Sequence, residues 1–261
     1  MSENNDIILH ENVLTMLSEM EEVFKRFDID YYLAGAFARD IYYQQKQSNK
    51  DYRKTDDIDL AVFINKEEVY NEVIDALVAT GSFIRDEDEI IKLHYKQSLE
   101  VDLIPFGDIE NLDREVKLTK PKAFTLQMPG FLEVFPFIEI VEAGNLTLKT
   151  CPIEGLIMLK LISWDDRNYR TKDLIDIDNI VDAYFDWNAD EIYIDYAEVM
   201  EIYDVNDLDY YLKNISAHVI GKKIHLLLEN SPDLLERVIG ILDKKNNPRW
   251  RAIKNGLTET E

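Results

Sequence analysis

The chain has 261 residues and a formal charge of −23, from 29 Lys and Arg against 52 Asp and Glu; such a field opposes tight, sequence-independent binding to nucleic acid, which needs several phosphates neutralised by Lys or Arg. At ~150 residues per domain the length admits one large domain or two modest ones, and a hydrophobic content of 46% excludes bulk disorder. The single cysteine excludes a disulfide framework and a cysteine-based zinc site. With no signal-peptide pattern after Met1 and no apolar run near ~18 residues, the chain reads as soluble, cytoplasmic and without a membrane partner.

Leu9, Val13, Met16, Leu17, Met20, Val23, Phe24 and Phe27 recur at helical spacing and predict an amphipathic helix over 9–26. Tyr31-Tyr-Leu-Ala predicts a short buried strand ending at Gly35, with a helix from Ala36 to about Gln45. The polar stretch 44–55 reads as a loop, 58–64 as a strand, and 66–80 as a helix with Val69, Val73, Ile74, Leu77 and Val78 on one face. Two hairpins follow: 90–95 with 99–106 across Lys96-Gln-Ser, and 139–142 with 146–149 across Ala143-Gly-Asn. Beyond Pro152 the period is helical, over 153–164, 172–185, 208–214, 217–229 and 232–243, the last opened by Ser231-Pro232 as helix-start preferences require. The end from about Asn255 is expected to fray. The class is α+β, with one domain over 1–150 and a helical one over 151–261.

The most informative segment is Thr55-Asp-Asp-Ile-Asp-Leu. On a strand, Asp57 and Asp59 project from the same face, and two carboxylates aimed at one point repel unless a cation sits between them. Asp102 lies on another predicted strand among apolar neighbours, where an isolated charge is expensive. Were the strands adjacent, three carboxylates would converge within a metal-binding radius, a set able to hold Mg²⁺ and orient a triphosphate. The bland alternative is chance, since D-x-D pairs arise readily in an acidic chain. Upstream, a strand running through Leu33-Ala into Gly35 and a helix leaves backbone N–H groups free for phosphate; the alternative is a tight turn. Further on, Lys160, Trp164 and Arg167 share a helix face. Lys160, set among apolar residues, needs a carboxylate or phosphate, and Arg167 can grip phosphate with two N–H groups. Asp173 and Asp176 are spaced to orient either cation, or to form with Lys160 a purely structural salt-bridge network. His10, His94, His218 and His225 lack ligand spacing and read as structural. Lys244-Lys245 with Arg249-Trp-Arg251 reads as a solvated helix end, with RNA contact the sharper alternative.

In this order, a glycine-bearing strand–turn–helix, a D-x-D strand and a later acid resemble the signature of the nucleotidyltransferase superfamily, the polymerase-beta-like fold. Gly35-Ala-Phe-Ala-Arg-Asp, Thr55-Asp-Asp-Ile-Asp-Leu-Ala-Val, Val101-Asp-Leu-Ile-Pro-Phe-Gly and Leu159-Lys-Leu-Ile-Ser-Trp-Asp-Asp-Arg, with Lys172-Asp-Leu-Ile-Asp-Ile after them, are similar to the AbiEii/AbiGii-type toxins of abortive-infection and toxin–antitoxin systems. The resemblance implies a mixed sheet with flanking helices and a helical domain completing the cleft. It implies transfer of an NMP from an NTP to an acceptor hydroxyl, with Mg²⁺ (or Mn²⁺) on Asp57, Asp59 and Asp102. Lys160 joins those acids as a catalytic residue, and Gly35, Ala36, Arg39, Thr55, Lys160 and Arg167 contact nucleotide, supported by Lys172, Asp173 and Asp176. The implied acceptor is a tRNA or other nucleic acid end, a small molecule or a protein, and the implied partner is a cognate antitoxin. The chain departs from the superfamily pattern at Ala36, where a second Gly or Ser usually follows the glycine. That departure keeps a catalytically lapsed nucleotide-binding or protein-interaction role as the alternative. A metal-dependent phosphohydrolase using the same acids is a third reading.

Overall fold

The computed structural model describes residues 11–46, 57–143, 146–167, 169 and 171–259. Thr55, Asp56, His10 and most of the expected polar loop lie outside these residues. The chain divides into two compact units, Met1–Pro152 and Ile153–Glu261, of mixed α+β and all-helical structure respectively.

The first unit opens with helix α1 (Glu11–Phe27), whose apolar stripe Met16, Leu17, Met20, Val23 and Phe24 is buried. Strand β1 (Tyr31–Ala34) is buried at every residue, because it lies inside the sheet and has no solvent face. It runs directly into α2 (Gly35–Gln45), followed by β2 (Asp57–Phe63) and α3 (Glu67–Ala79). Next come β3 (Phe83–Arg85), β4 (Lys92–Tyr95) and β5 (Leu99–Phe106). The turn between β4 and β5 is tight because Lys96 and Gln97 both take positive φ, at 46° and 55°. A separate two-stranded ribbon, β6 (Glu115–Leu118) with β7 (Phe124–Gln127), precedes the short α4 (Phe131–Val134). The unit closes with the hairpin β8 (Glu139–Ala143) and β9 (Leu146–Thr150). The sheet has seven strands in the order β3-β4-β5-β2-β1-β9-β8. It is mixed, with β2 parallel to β5 and β1 parallel to β9, while β1–β2 and β4–β5 are antiparallel. The ribbon, β3 and α4 carry no strong periodicity and were not anticipated.

The helical unit comprises α5 (Ile153–Asp166), α6 (Thr171–Asp195), α7 (Ala197–Met200), α8 (Tyr211–Leu228), α9 (Pro232–Asp243) and α10 (Pro248–Thr258). Three expectations are corrected here. The two helices expected over 208–229 are one, since Ser216 stays in α8 by donating its hydroxyl back to Leu212 O at 2.9 Å. Helix α6 runs past Phe185, bending at Asn188, whose backbone leaves the helical region and whose Nδ2 donates to Tyr184 O. The described residues from Asn255 to Glu259 are not frayed, α10 running through Thr258. Gly256 presses on the backbone of α8, where a Cβ would stand 1.9 Å from His218 O, and Leu257 is fully buried. Among the described residues no helix is long and apolar enough to cross a membrane.

Candidate active site

The register of β2 and β5 decides where the acids go. Asp59 pairs with Asp102, and Asp57 with Glu100, across two parallel strands. In-register residues share a face of the pleat, and so do residues two apart on one strand, so Asp57, Asp59, Glu100 and Asp102 stand on the same side of the sheet. The antiparallel partner β4 extends both rows, Lys92 pairing with Asp102 and His94 with Glu100.

The electrostatics follow from that crowding. Asp102 is 22% exposed at its side chain, and its Oδ1 has no hydrogen-bond partner among the described residues, with Lys92 Nζ at 4.0 Å. Burial first, then the Asp59 charge, push its carboxyl up to about 6. Lys92 Nζ instead donates to Glu100 Oε2 at 2.6 Å. That bond, chiefly, holds Glu100 below the ordinary carboxylate range and Lys92 above the ordinary ammonium range. At the end of the outer row His94 Nε2 bonds Asp86 Oδ2 at 2.7 Å.

Gly35 completes this corner. Ala34 pairs with Asp59, so the first residue of α2 faces the Asp59 carboxylate directly. Gly35 has φ +60°, and a Cβ placed on it would stand 1.8 Å from Asp59 Oδ2. The start of α2 carries no side-chain cap, which leaves amides of its first turn beside the carboxylate. Ala36 follows in that turn. Arg39, expected to meet nucleotide, is only 3% exposed, and its Nε and Nη2 both donate to Asp40 Oδ1.

The donor set suits a hard divalent cation. It consists of oxygens, includes a buried Oδ1 without a hydrogen bond, and concentrates charge that raises the Asp102 titration. Among the described residues no three His, Cys, Asp or Glu side chains are already gathered tightly enough to hold a metal ion. The expected convergence of Asp57, Asp59 and Asp102 is therefore seen as a shared face, with Asp59 and Asp102 adjacent.

In the helical unit Lys160 is 8% exposed and donates from Nζ to Asp176 Oδ2 at 2.6 Å, with Asp173 Oδ1 at 3.8 Å. The ion pair of Lys160 with Asp176, expected from the spacing, is present. Ser163 Oγ donates to Asp173 at 3.4 Å. Arg167 and Lys172 are exposed, whereas Trp164 is buried edge-on against Trp250, the ring centroids 5.2 Å apart. The face expected for Lys160, Trp164 and Arg167 is thus split between core and solvent. Lys244, Lys245 and Arg249 of the basic cluster near the end make protein contacts, and Arg251 is exposed. Lys244 pairs with Asp165, Arg249 with Asp178 and Asp182, and Lys245 sits over the Trp164 and Trp250 rings.

Lys92 and Glu100 were passed over in the sequence. Their signal is the alternation in Lys92-Leu-His94-Tyr and Leu99-Glu-Val-Asp102, which sets charged residues on one face and buried apolar ones on the other.

A sequence model of the family described as Nucleotidyl transferase AbiEii toxin, Type IV TA system, matches residues 20–261. The chain belongs to the AbiEii family. It is a nucleotidyltransferase, and the AbiEii match spans both the acid face and the helical unit. A search of curated proteins finds no match. Among solved structures the chain is similar to antibiotic-resistance factor ANT(2'')-Ia, at 13% identity and TM-score 0.37 over 65% of this chain and 82% of that one. It is also similar to an antigenic nucleotidyltransferase-like protein from Paracoccidioides brasiliensis, at 14% identity and TM-score 0.40 over 77% and 91% of the two chains. A third is the Thermotoga maritima CCA-adding enzyme, at 15% identity and TM-score 0.31 over 93% and 50%.

Proposed function

We propose that the face formed by Asp57, Asp59 and Asp102 is the catalytic centre, and that the enzyme moves an NMP from an NTP to an acceptor hydroxyl with release of pyrophosphate. The observation that carries the reading is the triple juxtaposition of Gly35, Asp59 and Asp102, a helix start without a side-chain cap against two neighbouring carboxylates. Asp57, Asp59 and Asp102 would hold Mg²⁺ or Mn²⁺, which when bound supplies charge stabilisation to the triphosphate. The amides of Gly35 and Ala36 orient phosphate oxygens. Asp102 serves either as third ligand or, where its Oδ1 is left to the acceptor, as the base that receives the proton of the acceptor hydroxyl as the hydroxyl oxygen attacks the α-phosphorus and the bond to pyrophosphate breaks. The physiological role we assign is that of a toxin controlled by an antitoxin. The charge of −23 favours an acceptor presented as a compact end, such as a tRNA terminus, a small molecule or a protein side chain, over an extended RNA footprint.

The test is incubation with each labelled NTP and Mg²⁺, alone and with candidate acceptors. Pyrophosphate release with labelled acceptor, lost in Asp59→Asn and Asp102→Asn, is the expected result. Release of free phosphate or nucleotide without any acceptor would identify a phosphohydrolase, and nucleotide binding without turnover would identify the lapsed enzyme that Ala36 raises.

A further inference from the structure

Lys92 lies on the edge of the acid face in register with Asp102, yet its ammonium makes only a long ion pair with Asp102 and no hydrogen bond. Its side chain is 13% exposed and its Nζ sits 2.6 Å from Glu100 Oε2, against 4.0 Å from Asp102 Oδ1 and 3.9 Å from Glu89 Oε2. An ammonium that close to a largely buried carboxylate oxygen lacking a hydrogen bond gains by closing the gap. Something must hold it back, and the short bond to Glu100 does so. Glu100 is itself fixed in the outer row, as the register partner of Asp57 and in contact with its carboxyl.

We propose that Glu100 is a positioning residue that tethers Lys92 away from Asp102, leaving the Asp102 Oδ1 without a hydrogen bond and available to a divalent cation. The role rests on the reading of Asp59 and Asp102 as the metal-binding pair. With Glu100 neutral, Lys92 is released and can turn onto Asp102, where its ammonium occupies the oxygen a divalent ion needs. With Lys92 also removed, nothing competes for that oxygen.

The experiment is Mn²⁺ binding to the full-length protein without nucleotide, followed by the electron paramagnetic resonance of free Mn²⁺. Wild type is compared with Asp102→Asn, Glu100→Gln, Glu89→Gln and the double variant Glu100→Gln/Lys92→Met. Glu100→Gln should weaken binding by about tenfold or more, the usual scale for losing a residue that orients a ligand. Glu89→Gln removes the same charge beside the same ammonium without releasing it, so its affinity should stay within about twofold of wild type. The double variant should return to within about threefold. Wild-type affinity in Glu100→Gln, equal weakening in Glu89→Gln, or a double variant as weak as Glu100→Gln would each overturn the tether. Asp102→Asn binding like wild type would overturn the reading of the site, and the tether with it. Should Glu100→Gln melt below the assay temperature, Glu100→Asp keeps the charge and shortens the reach. It should weaken binding too, and unchanged affinity there would overturn the tether.

Discussion

Gly35 has to be glycine on two independent counts. Its φ of +60° costs any residue with a Cβ roughly 1–2 kcal/mol, and that Cβ would overlap Asp59 Oδ2. Gly35→Ala should therefore lower the melting temperature by several degrees and abolish nucleotide binding; a variant melting and titrating like wild type would place the phosphate cradle elsewhere. Asp102 gives a second prediction, through pH. Its folded titration near 6 lies above the unfolded value of ~3.9, so between these pH values the folded chain holds a proton the unfolded chain has released. The stabilisation is thus full below about pH 4 and lost as pH rises through about 6. Metal-free Asp102→Asn should then be more stable than wild type at pH 7.5, by about 2–3 kcal/mol, with the difference closing toward pH 4.5. Urea melts at both pH values check this, and parallel pH profiles would mean Asp102 is not held protonated in the fold.

Two elements of the helical unit depend on contacts no single helix reveals. Helices α8 and α10 approach backbone to backbone at Gly221 and Gly256, where added Cβ atoms would stand 2.0 Å from Ile253 O and 1.9 Å from His218 O. Gly256→Ala should destabilise by about 1–3 kcal/mol, the range for overpacking a filled interior. The same melt on Gly240→Ala serves as control, since a Cβ there meets nothing; equal losses would refute the close approach. Between α5 and α6 lies a largely buried ion pair. Lys160→Met takes the ammonium from buried Asp173 and part-buried Asp176, so it should cost about 3–5 kcal/mol. A fully stable Lys160→Met with weakened NTP titration would instead assign Lys160 to the triphosphate.

At the scale of the whole molecule, a charge of −23 makes the fold repel itself. Raising monovalent salt from 20 to 300 mM, expressed as a screening length shrinking from roughly 20 Å to 6 Å, should raise the melting temperature of the metal-free protein. A fall would mean that the many local ion pairs outweigh the net repulsion. What could be read from the chain alone is whatever is local or periodic: the stripe of α1, the buried run of β1, the alternation of β2 and β5, and the change to helical period after Pro152. The D-x-D spacing put Asp57 and Asp59 on one face by the geometry of a strand. Periodicity could not say which strands are neighbours. Only the tertiary register set Asp102 beside Asp59 and brought Lys92 and Glu100 to the same face. Likewise only packing buried Arg39 and set Gly256 against α8. The strand register and that close approach join residues far apart in the chain, whose distances follow from sheet order and helix crossing, and no local pattern encodes those.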